Sequence, residues 1–482
     1  MMTTRMTSTR LSSRTGPMIR DVARAVLAVL ALASLACNAD KFNVPQYNAP
    51  TIAGVNGTPQ ALQLYVSGIL LQERNSLGGY NSDLGIFGRE SYSYFPTDAR
   101  SVSHYLIGLP GPNNTRILDP AGFASGQWYN WYRNMKNAVN LVAFADASAA
   151  LSAAQKSGVK GFAKTIQALS LYRVIVTRDT LGAPVDIPAD ASVPAPFLDR
   201  NGVWTKVSAI LDDAKTDLGT AGAGFAFQLD DGFAGFDTPV SFLKFNRAIA
   251  ARVLVNRASL GCAACWAQAL QALNESFITA PASLADLNIG VYNVFSSTPG
   301  DALNPQNISV GPTWFAHASA ITDAQTQPSG APDARMTRKV APLVPSKAAP
   351  GTNNGIPATA YFIMYPTNVS PVPIIRNEEL LLLRAEAELQ SGQTGPALAD
   401  INAVRTISGG LAALASLGAD PVGTLLYERR YSLLWEGHRW NDMRRYGRLN
   451  QLPLDLSTHF VAKVMPIPKQ ECDARNTPPQ CQ

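Results

Sequence analysis

Charge and histidine are both scarce in this chain. Only 16% of its 482 residues are charged, and its four histidines stand far apart, at positions 104, 317, 438 and 459. This spacing excludes the HExxH motif of zinc proteases, and the sequence has neither a GxSxG nucleophile elbow nor a Walker-type phosphate loop. We therefore expect no bound metal and no cofactor. Glycoside hydrolysis by a pair of carboxylates stays an alternative, because the two residues can come from any part of a chain.

The net positive charge is confined to the N-terminus. The formal charge of the whole chain is +5, but residues 1–36 hold five arginines against the single acid Asp21. The remaining 35 basic and 34 acidic residues give a charge of +1. A domain this close to neutral lacks the basic surface that binds a phosphate backbone, so we expect no nucleic-acid partner.

The N-terminal segment has the composition of an export signal. Residues 25–36 read AVLAVLALASLA, an uncharged apolar run behind an arginine-rich stretch. The run is shorter than the ~20 residues that a membrane-spanning helix needs, and it ends in small residues, as signal peptides do. Cys37 follows directly and resembles a lipobox cysteine, whose thiol is diacylated before cleavage. We interpret 1–36 as a lipoprotein signal peptide and 37–56 as anchor and linker; the alternative is an ordinary signal with Cys37 as a spare thiol.

Four cysteines remain when Cys37 is set aside, an even number that is typical of disulfides in an exported protein. Three pairings are possible for Cys262, Cys265, Cys472 and Cys481, and pairing each cysteine with its near neighbour is the simplest. The alternative is that Cys262-Ala-Ala-Cys265 is a redox or zinc pair. Zinc would need further ligands, and the sequence has no second CxxC motif.

Helical periodicity dominates residues 57–290, where apolar side chains recur every three to four positions and small residues allow close helix contact. Pairs of such helices predict helical hairpins of the tetratricopeptide kind, although no strict 34-residue repeat can be counted. Residues 291–374 are rich in Pro, Gly, Asn and Ser and form a loop-rich candidate ligand-binding region. Helical patterns return in residues 375–482, and within the stretch 425–449 we expect Glu428, Tyr431 or Ser432, and Trp435 on successive turns of one helix.

Four stretches of the C-terminal part form a specific combination: IRNEELLLLRAEAEL from Ile375 to Leu389, ALADINAVR from Ala397 to Arg405, the ER…EG.RW.D..R pattern from Glu428 to Arg445, and MPIP with a following acid from Met465 to Glu471. Together they resemble the SusD/RagB family of nutrient-binding outer-membrane lipoproteins. Weaker similarities, such as Asp333-Ala-Arg335 and the helix from Trp128 to Asn140, extend the resemblance to about residue 50.

The resemblance implies a mainly α fold, with tetratricopeptide-like helical hairpins, long irregular loops and a few short strands. It also implies a surface-exposed protein, anchored to the outer membrane by lipid, that closes a TonB-dependent, SusC-like transporter as a lid. Its ligand would be an oligosaccharide or another nutrient oligomer. We expect that it is not an enzyme.

The ER…EG.RW pattern is interpreted as structural, although its carboxylates near arginines also invite a catalytic interpretation. Arginines form forked bonds with carboxylates, and the surrounding apolar residues would bury such pairs. The residues expected to support the fold in this way are Glu428, Arg429, Glu436, Arg439, Trp440 and Asp442.

Aromatic residues among polar ones are the candidate ligand contacts. The apolar C–H faces of sugar rings stack on aromatic side chains, and sugar hydroxyls need polar partners. Residues 92–100 interleave both kinds of residue, and Trp314 stands among Asn304, Gln306, Asn307 and His317. The alternative is that these aromatics pack in the core. The candidates are Tyr92, Tyr94, Asp98, Arg100 and Trp314.

Three functions fit the sequence. The first is a surface lipoprotein that binds nutrient oligomers, glycans above all, and delivers them to a transporter. The second is a glycan-processing enzyme on a helical scaffold. The third is a protein interaction module without a small ligand.

The lipid anchor can be tested directly. We expect Cys37 to be acylated, because it follows the apolar run ending in Leu35 and Ala36. Stable anchoring takes more than one lipid chain, as a triacylated cysteine would provide. Metabolic labelling with a fatty acid should mark the wild-type protein and leave the Cys37→Ser variant unlabelled. Equal labelling of both proteins would contradict the prediction.

Overall fold

The computed structural model describes residues 58–95, 98–123, 126–188, 190, 193–307, 314–347, 349 and 352–481. The predicted signal peptide, the anchor segment and Cys37 lie outside the described residues. The fold is mainly helical with a few short strands, as the sequence predicts. Within the described part of the chain, no helix is long and apolar enough to cross a membrane.

In the N-terminal half, each long helix packs against the next long helix, as neighbours do in helical hairpins. The short α2 and a π-helical turn after it (Ser103–Ile107) lie in sequence between α1 and α3, and these two long helices pack against each other. The helices are α1 Pro59–Phe87, α2 Arg100–Val102, α3 Gly126–Ala147, α4 Ala153–Arg178, α5 Arg200–Gly219, α6 Pro239–Ser259 and α7 Cys265–Asn274.

Capping residues define where these helices begin. The Thr58 hydroxyl accepts a hydrogen bond from the Ala61 backbone N–H, and Pro59 occupies the first turn. Ser152 and Gln155 form a reciprocal capping box at the start of α4. Each cap satisfies backbone N–H groups that have no partner inside the helix. Between α4 and α5 the close contact depends on Gly161, where an added Cβ would lie 2.5 Å from Leu218.

The C-terminal half contains shorter helices. Helices α11 and α12 form a hairpin that also packs against α7 through α11. The helices are α8 Leu284–Leu287, α9 Ser319–Thr322, α10 Ala334–Lys339, α11 Asn377–Gln390, α12 Thr394–Ile407, α13 Pro421–Ser432, α14 Arg439–Arg445 and α15 Lys469–Ala474.

The prediction that Glu428 and Trp435 lie on successive turns of one helix is wrong. Helix α13 ends at Ser432, and α14 starts at Arg439. Trp435 adopts a positive φ of 60° between them, and Gly437 adopts 79°. The Trp435 ring stacks flat on Phe362, with centroids 4.0 Å apart, so its burial stabilises a left-handed conformation that would otherwise be unfavourable. Glu428 and Trp435 therefore do not lie on successive turns of one helix.

The strands of the described residues form five antiparallel pairs of two strands each. The pairs join distant parts of the chain as well as near ones, and β9 also lies beside β7. They are β1 Ser91–Ser93 with β7 Trp314–Ala316, β2 Leu109–Pro110 with β3 Arg116–Ile117, β4 Ala183–Pro184 with β5 Phe197–Leu198, β6 Gly290–Asn293 with β10 Val372–Arg376, and β8 Val340–Pro342 with β9 Ala360–Phe362.

Both cysteine pairs that are near in sequence form disulfides. Cys262 joins Cys265 at the start of α7, and Cys472 in α15 joins Cys481. The Cys262–Cys265 pair is therefore a covalent link at the start of a helix in this structure, and its two sulfurs are not available as zinc ligands.

Buried ion pairs connect the C-terminal helices. The Glu428 carboxylate, which is fully buried, lies 2.6 Å from Arg335 and 2.8 Å from Arg405. Asp442 accepts from Arg429 at 2.7 Å and pairs with Arg445 at 3.0 Å. Burial by itself would raise the pKa of Asp442, but the two guanidinium groups outweigh it and lower the pKa to about 2.

The remaining residues of the ER…EG.RW pattern are also held in place. Glu436 lies 2.6 Å from Arg376, and the Trp440 indole N–H donates to the Ala462 carbonyl at 2.7 Å. Arg439 differs from the expectation of a fork to a carboxylate, because its Nε donates to the Gly88 carbonyl at 2.9 Å. Burial lowers the pKa of Arg439 to about 9. The Gly88 carbonyl ends helix α1, so Arg439 links the two halves of the chain.

Removing the Glu428 carboxylate should destabilise the protein strongly. The Glu428→Ala change leaves Arg405 without its carboxylate partner and weakens the pairing of Arg335, which would cost roughly 3–5 kcal/mol of unfolding free energy for a buried pair. Urea denaturation followed by circular dichroism would measure the loss. Asp473→Ala is the control, since Asp473 pairs with Lys469 on the exposed surface, and its midpoint should hardly move. Equal midpoint shifts in the two variants would contradict the prediction.

Candidate ligand-binding cleft

The pairing of strands β1 and β7 decides which aromatic side chains face outward. Tyr92 stands opposite Phe315, and Ser93 stands opposite Trp314. Residues that are directly opposite in an antiparallel pair share a face, and successive residues alternate between faces. Tyr92 and Phe315 therefore lie on one face of the pair, and Ser93 and Trp314 lie on the other.

The face with Tyr92 and Phe315 belongs to the interior. The Tyr92 hydroxyl donates to the Asp455 carboxylate, which also accepts from His317 at 3.0 Å. Tyr94 is buried with its ring edge-on to Phe315, the centroids 5.2 Å apart, and burial raises its pKa to about 12. Neither tyrosine lines the cleft described next, although both were candidate ligand contacts.

Two adjoining cavities open on the other face of the strand pair, with volumes of about 440 and 260 Å³. We call them together the cleft. Both are lined by Ser93, Phe95, Asp98 and Ser101. The larger cavity is further lined by Ala99, Val102, Ser103, Ile107, Thr352 and Asn354, and the smaller by Asp83, Tyr105, Phe123 and Trp314.

Three aromatic rings with exposed area line the cleft. Phe95 is 50% exposed and Phe123 is 37% exposed, unusually high fractions for phenyl rings. Trp314 is partly buried, because it packs against the core cluster that contains Phe362 and Trp435. Of the candidate ligand contacts, Trp314 and Asp98 line the smaller cavity, and the structure adds two phenylalanines that sequence reasoning missed.

Asp98 is held rigidly at the rim of both cavities. Arg100 donates to it through a forked pair, Nε to Oδ1 at 2.8 Å and the terminal nitrogen to Oδ2 at 2.6 Å. These hydrogen bonds from Arg100 lower the pKa of Asp98 to about 2, so the carboxylate is ionised at neutral pH. The Arg100 guanidinium also stacks 4.9 Å above the Phe123 ring. Arg100 therefore orients two cleft residues, although its own side chain lies mostly in solvent.

A second carboxyl group, which sequence reasoning also missed, lies deep in the smaller cavity. Asp83 projects from helix α1, is 6% exposed and accepts a hydrogen bond from the Gln127 amide at 3.0 Å. Burial raises its pKa to about 7, against the opposing effects of hydrogen bonds from Tyr105 and Gln127 and of the Arg178 charge. The sequence signal that could have indicated Asp83 is an acidic residue within the apolar C-terminal end of α1.

Comparisons with known proteins identify the fold. Residues 352–478 match the family model described as the SusD family. The chain has the SusD fold. The resemblance to the SusD/RagB family that the sequence suggested is confirmed by the family model in the C-terminal quarter, and solved structures share the fold over most of the chain. A comparison with curated proteins finds no match.

Three solved structures illustrate the likeness. The surface glycan-binding protein A from Bacteroides uniformis has a TM-score of 0.66 and 18% identity, over 87% of this chain and 99% of its own. A SusD superfamily protein from Parabacteroides distasonis has a TM-score of 0.64 and 13% identity, over 87% and 98%. NanU from B. fragilis has a TM-score of 0.63 and 14% identity, over 90% and 98%.

The polar residues around Trp314 in sequence have structural tasks in this SusD fold. The Gln306 amide donates to the Trp435 carbonyl at 3.1 Å, and the Asn304 amide donates to the Ser370 carbonyl at 2.8 Å. Asn307 donates to the Tyr365 carbonyl at 2.6 Å, and His317 binds Asp455. None of the four lines the cleft, because their side chains bind other parts of the protein.

Other features of the described residues are less suited to a ligand. A larger cavity of about 530 Å³ between helices α5, α6 and α7 has no aromatic lining. In the part of the chain that the structure describes, no group of three or more His, Cys, Asp or Glu side chains could hold a metal ion. The cleft is therefore the candidate functional site.

Proposed function

We propose that this protein is a surface-exposed outer-membrane lipoprotein that binds nutrient oligomers, above all glycans, and delivers them to a TonB-dependent transporter. The observation that carries the proposal is the cleft, where Phe95, Phe123 and Trp314 line one cavity together with the ionised Asp98. The larger cavity, at about 440 Å³, has the size of ordinary small-molecule sites, which measure about 300–1,000 Å³, and the smaller cavity adjoins it.

The cleft suits a sugar for two physical reasons. The exposed aromatic rings offer faces on which the C–H faces of sugars stack, worth on the order of 1 kcal/mol for each ring that is already in position. Asp98 is held by Arg100 and accepts hydrogen bonds from hydroxyl groups without having to reorganise. One Bacteroides uniformis protein of this fold is itself described as glycan-binding.

Two carboxyl groups in one cavity favour the alternative function of a glycan-processing enzyme. Asp83 and Asp98 line the same cavity, and their environments move their pKa values apart, to about 7 and about 2. Pairs of this kind act as acid and base in glycosidases. The fork from Arg100 argues against a nucleophilic role of Asp98, because it stabilises the negative charge on both carboxylate oxygens and so makes them weaker nucleophiles.

Incubation of oligosaccharides with the protein should therefore leave them intact, as chromatography of the products would show.

Loss of the exposed rings should weaken binding. Phe95→Ala and Trp314→Ala should each raise the Kd for the best oligosaccharide of a panel about five- to tenfold, the loss expected from removing one stacked ring. Isothermal titration calorimetry would measure it. Phe95→Ala should leave the melting temperature nearly unchanged, since the ring is half exposed.

Trp266→Ala is the matched control, because Trp266 is a partly buried tryptophan of helix α7 that does not line the cleft. Its Kd should equal that of the wild type. If both cleft variants bind like the wild type, the ligand lies elsewhere. If no oligosaccharide or peptide of the panel binds at all, the interaction-module alternative is favoured.

The delivery step predicts a stable complex with a transporter. The SusD/RagB resemblance implies a TonB-dependent barrel under the lipoprotein, and a stable complex of this kind buries above ~1,000 Å² in total. Purification of the lipidated protein in mild detergent should recover a large outer-membrane barrel in near-equal amount. Recovery of the protein alone, under conditions that preserve other outer-membrane complexes, would favour a free-standing binder.

A further inference from the structure

We propose that Asp83 gives the cleft a charge selectivity, so that it takes neutral oligosaccharides and rejects acidic ones such as those built from uronic acids. The inference rests on the proposed glycan-binding function and adds the substrate class. It comes from the charges that line the cleft and from the position of Asp83 deep in the smaller cavity.

The described residues that line the two cavities include no basic side chain. Asp83 and Asp98 are the acids among them, and there is no lysine, arginine or histidine. Proteins that bind sugar carboxylates generally use arginine forks or lysine charges. The Arg100 guanidinium lies beside this lining, but its fork is already occupied by Asp98.

The two acids contribute different charges. Asp98 is neutralised by its forked pair with Arg100, whose guanidinium lies 2.6 Å from the carboxylate. Asp83 is faced by the Tyr105 hydroxyl, by the Gln127 amide from helix α3 and by the buried Arg178 at the end of helix α4. These partners do not offset burial, which raises the pKa of Asp83 to about 7. Asp83 is therefore mostly neutral at pH 6 and mostly ionised at pH 8.

The charge of Asp83 should make the affinity for acidic sugars depend on pH. An anionic sugar placed in the cleft meets an ionised Asp83 at pH 8 in a site from which water is partly excluded, where charges repel more strongly than in bulk water. At pH 6 the repulsion fades, because Asp83 is protonated. The affinity for acidic oligosaccharides should therefore fall as the pH rises through about 7. Neutral oligosaccharides lack this repulsion at either pH.

The test compares acidic oligosaccharides with their carboxyl-reduced forms, which keep the same linkages but carry no charge. Hexamers of galacturonate and glucuronate, their reduced forms and neutral gluco- and xylo-hexaoses would be titrated at pH 6 and pH 8 at constant ionic strength. In the wild type, each neutral form should bind at least about tenfold more tightly than its acidic form at pH 8, and the ratio should shrink at pH 6.

Asp83→Asn keeps the size of the side chain and one acceptor oxygen but removes its charge. In this variant the ratio of neutral to acidic affinity should fall several-fold at pH 8 and no longer depend on pH. Glu90→Gln is the matched control, since burial also raises the pKa of Glu90 to about 7 but Glu90 does not line the cleft. The control should retain the wild-type ratio and its pH dependence.

The outcomes separate the two proposals. Acidic hexamers that bind the wild type as tightly as their reduced forms at pH 8, with an affinity that Phe95→Ala lowers, would overturn the charge selectivity and leave the glycan-binding function in place. Failure of every oligosaccharide to bind would remove both. If Asp83→Asn does not fold, the pH dependence of the wild-type ratio alone decides the question.

Discussion

Arginine–carboxylate pairing in the buried C-terminal region is the interaction on which the rest of the structure depends. Glu428 joins Arg335 of helix α10 and Arg405 of helix α12, while Arg376 at the end of β10 pairs with Glu436 between α13 and α14. Taking these charges out of water is unfavourable by itself, so each is tolerated only because a partner satisfies it. The pairs therefore force separate helices, strands and loops into one arrangement.

That arrangement extends to the cleft through aromatic packing. Trp435 lies between the two helices that carry the ion pairs, and its ring stacks on Phe362 of β9, which lies beside β7. Its carbonyl accepts the Gln306 amide from the segment that leads to β7. Trp314 then packs against the same core cluster and also lines the cleft. The cleft thus rests on packed core side chains.

The cleft shows why single aromatic residues are hard to assign from a sequence. Tyr92, Tyr94 and Phe95 all lie in one short aromatic stretch, yet the two tyrosines are buried and the phenylalanine is half exposed. The alternation of side chains along an extended strand predicts this division, because Tyr92 and Tyr94 share one face while Ser93 and Phe95 share the other. Which face points inward depends on β7, a partner more than 200 residues away in the chain.

The sequence by itself determined the helical class, the hairpin organisation of residues 57–290 and the family of the C-terminal part. Helical periodicity, capping residues and the ER…EG.RW pattern are local signals, and local signals survive without knowledge of distant contacts. Only the tertiary structure decided that the helix carrying Glu428 ends at Ser432, which partners the arginines have, and that Asp83, Phe95 and Phe123 line one cavity with Trp314 and Asp98. Burial and proximity between distant segments set the charge state of Asp83 and the exposure of each ring, and neither property exists before the chain has folded.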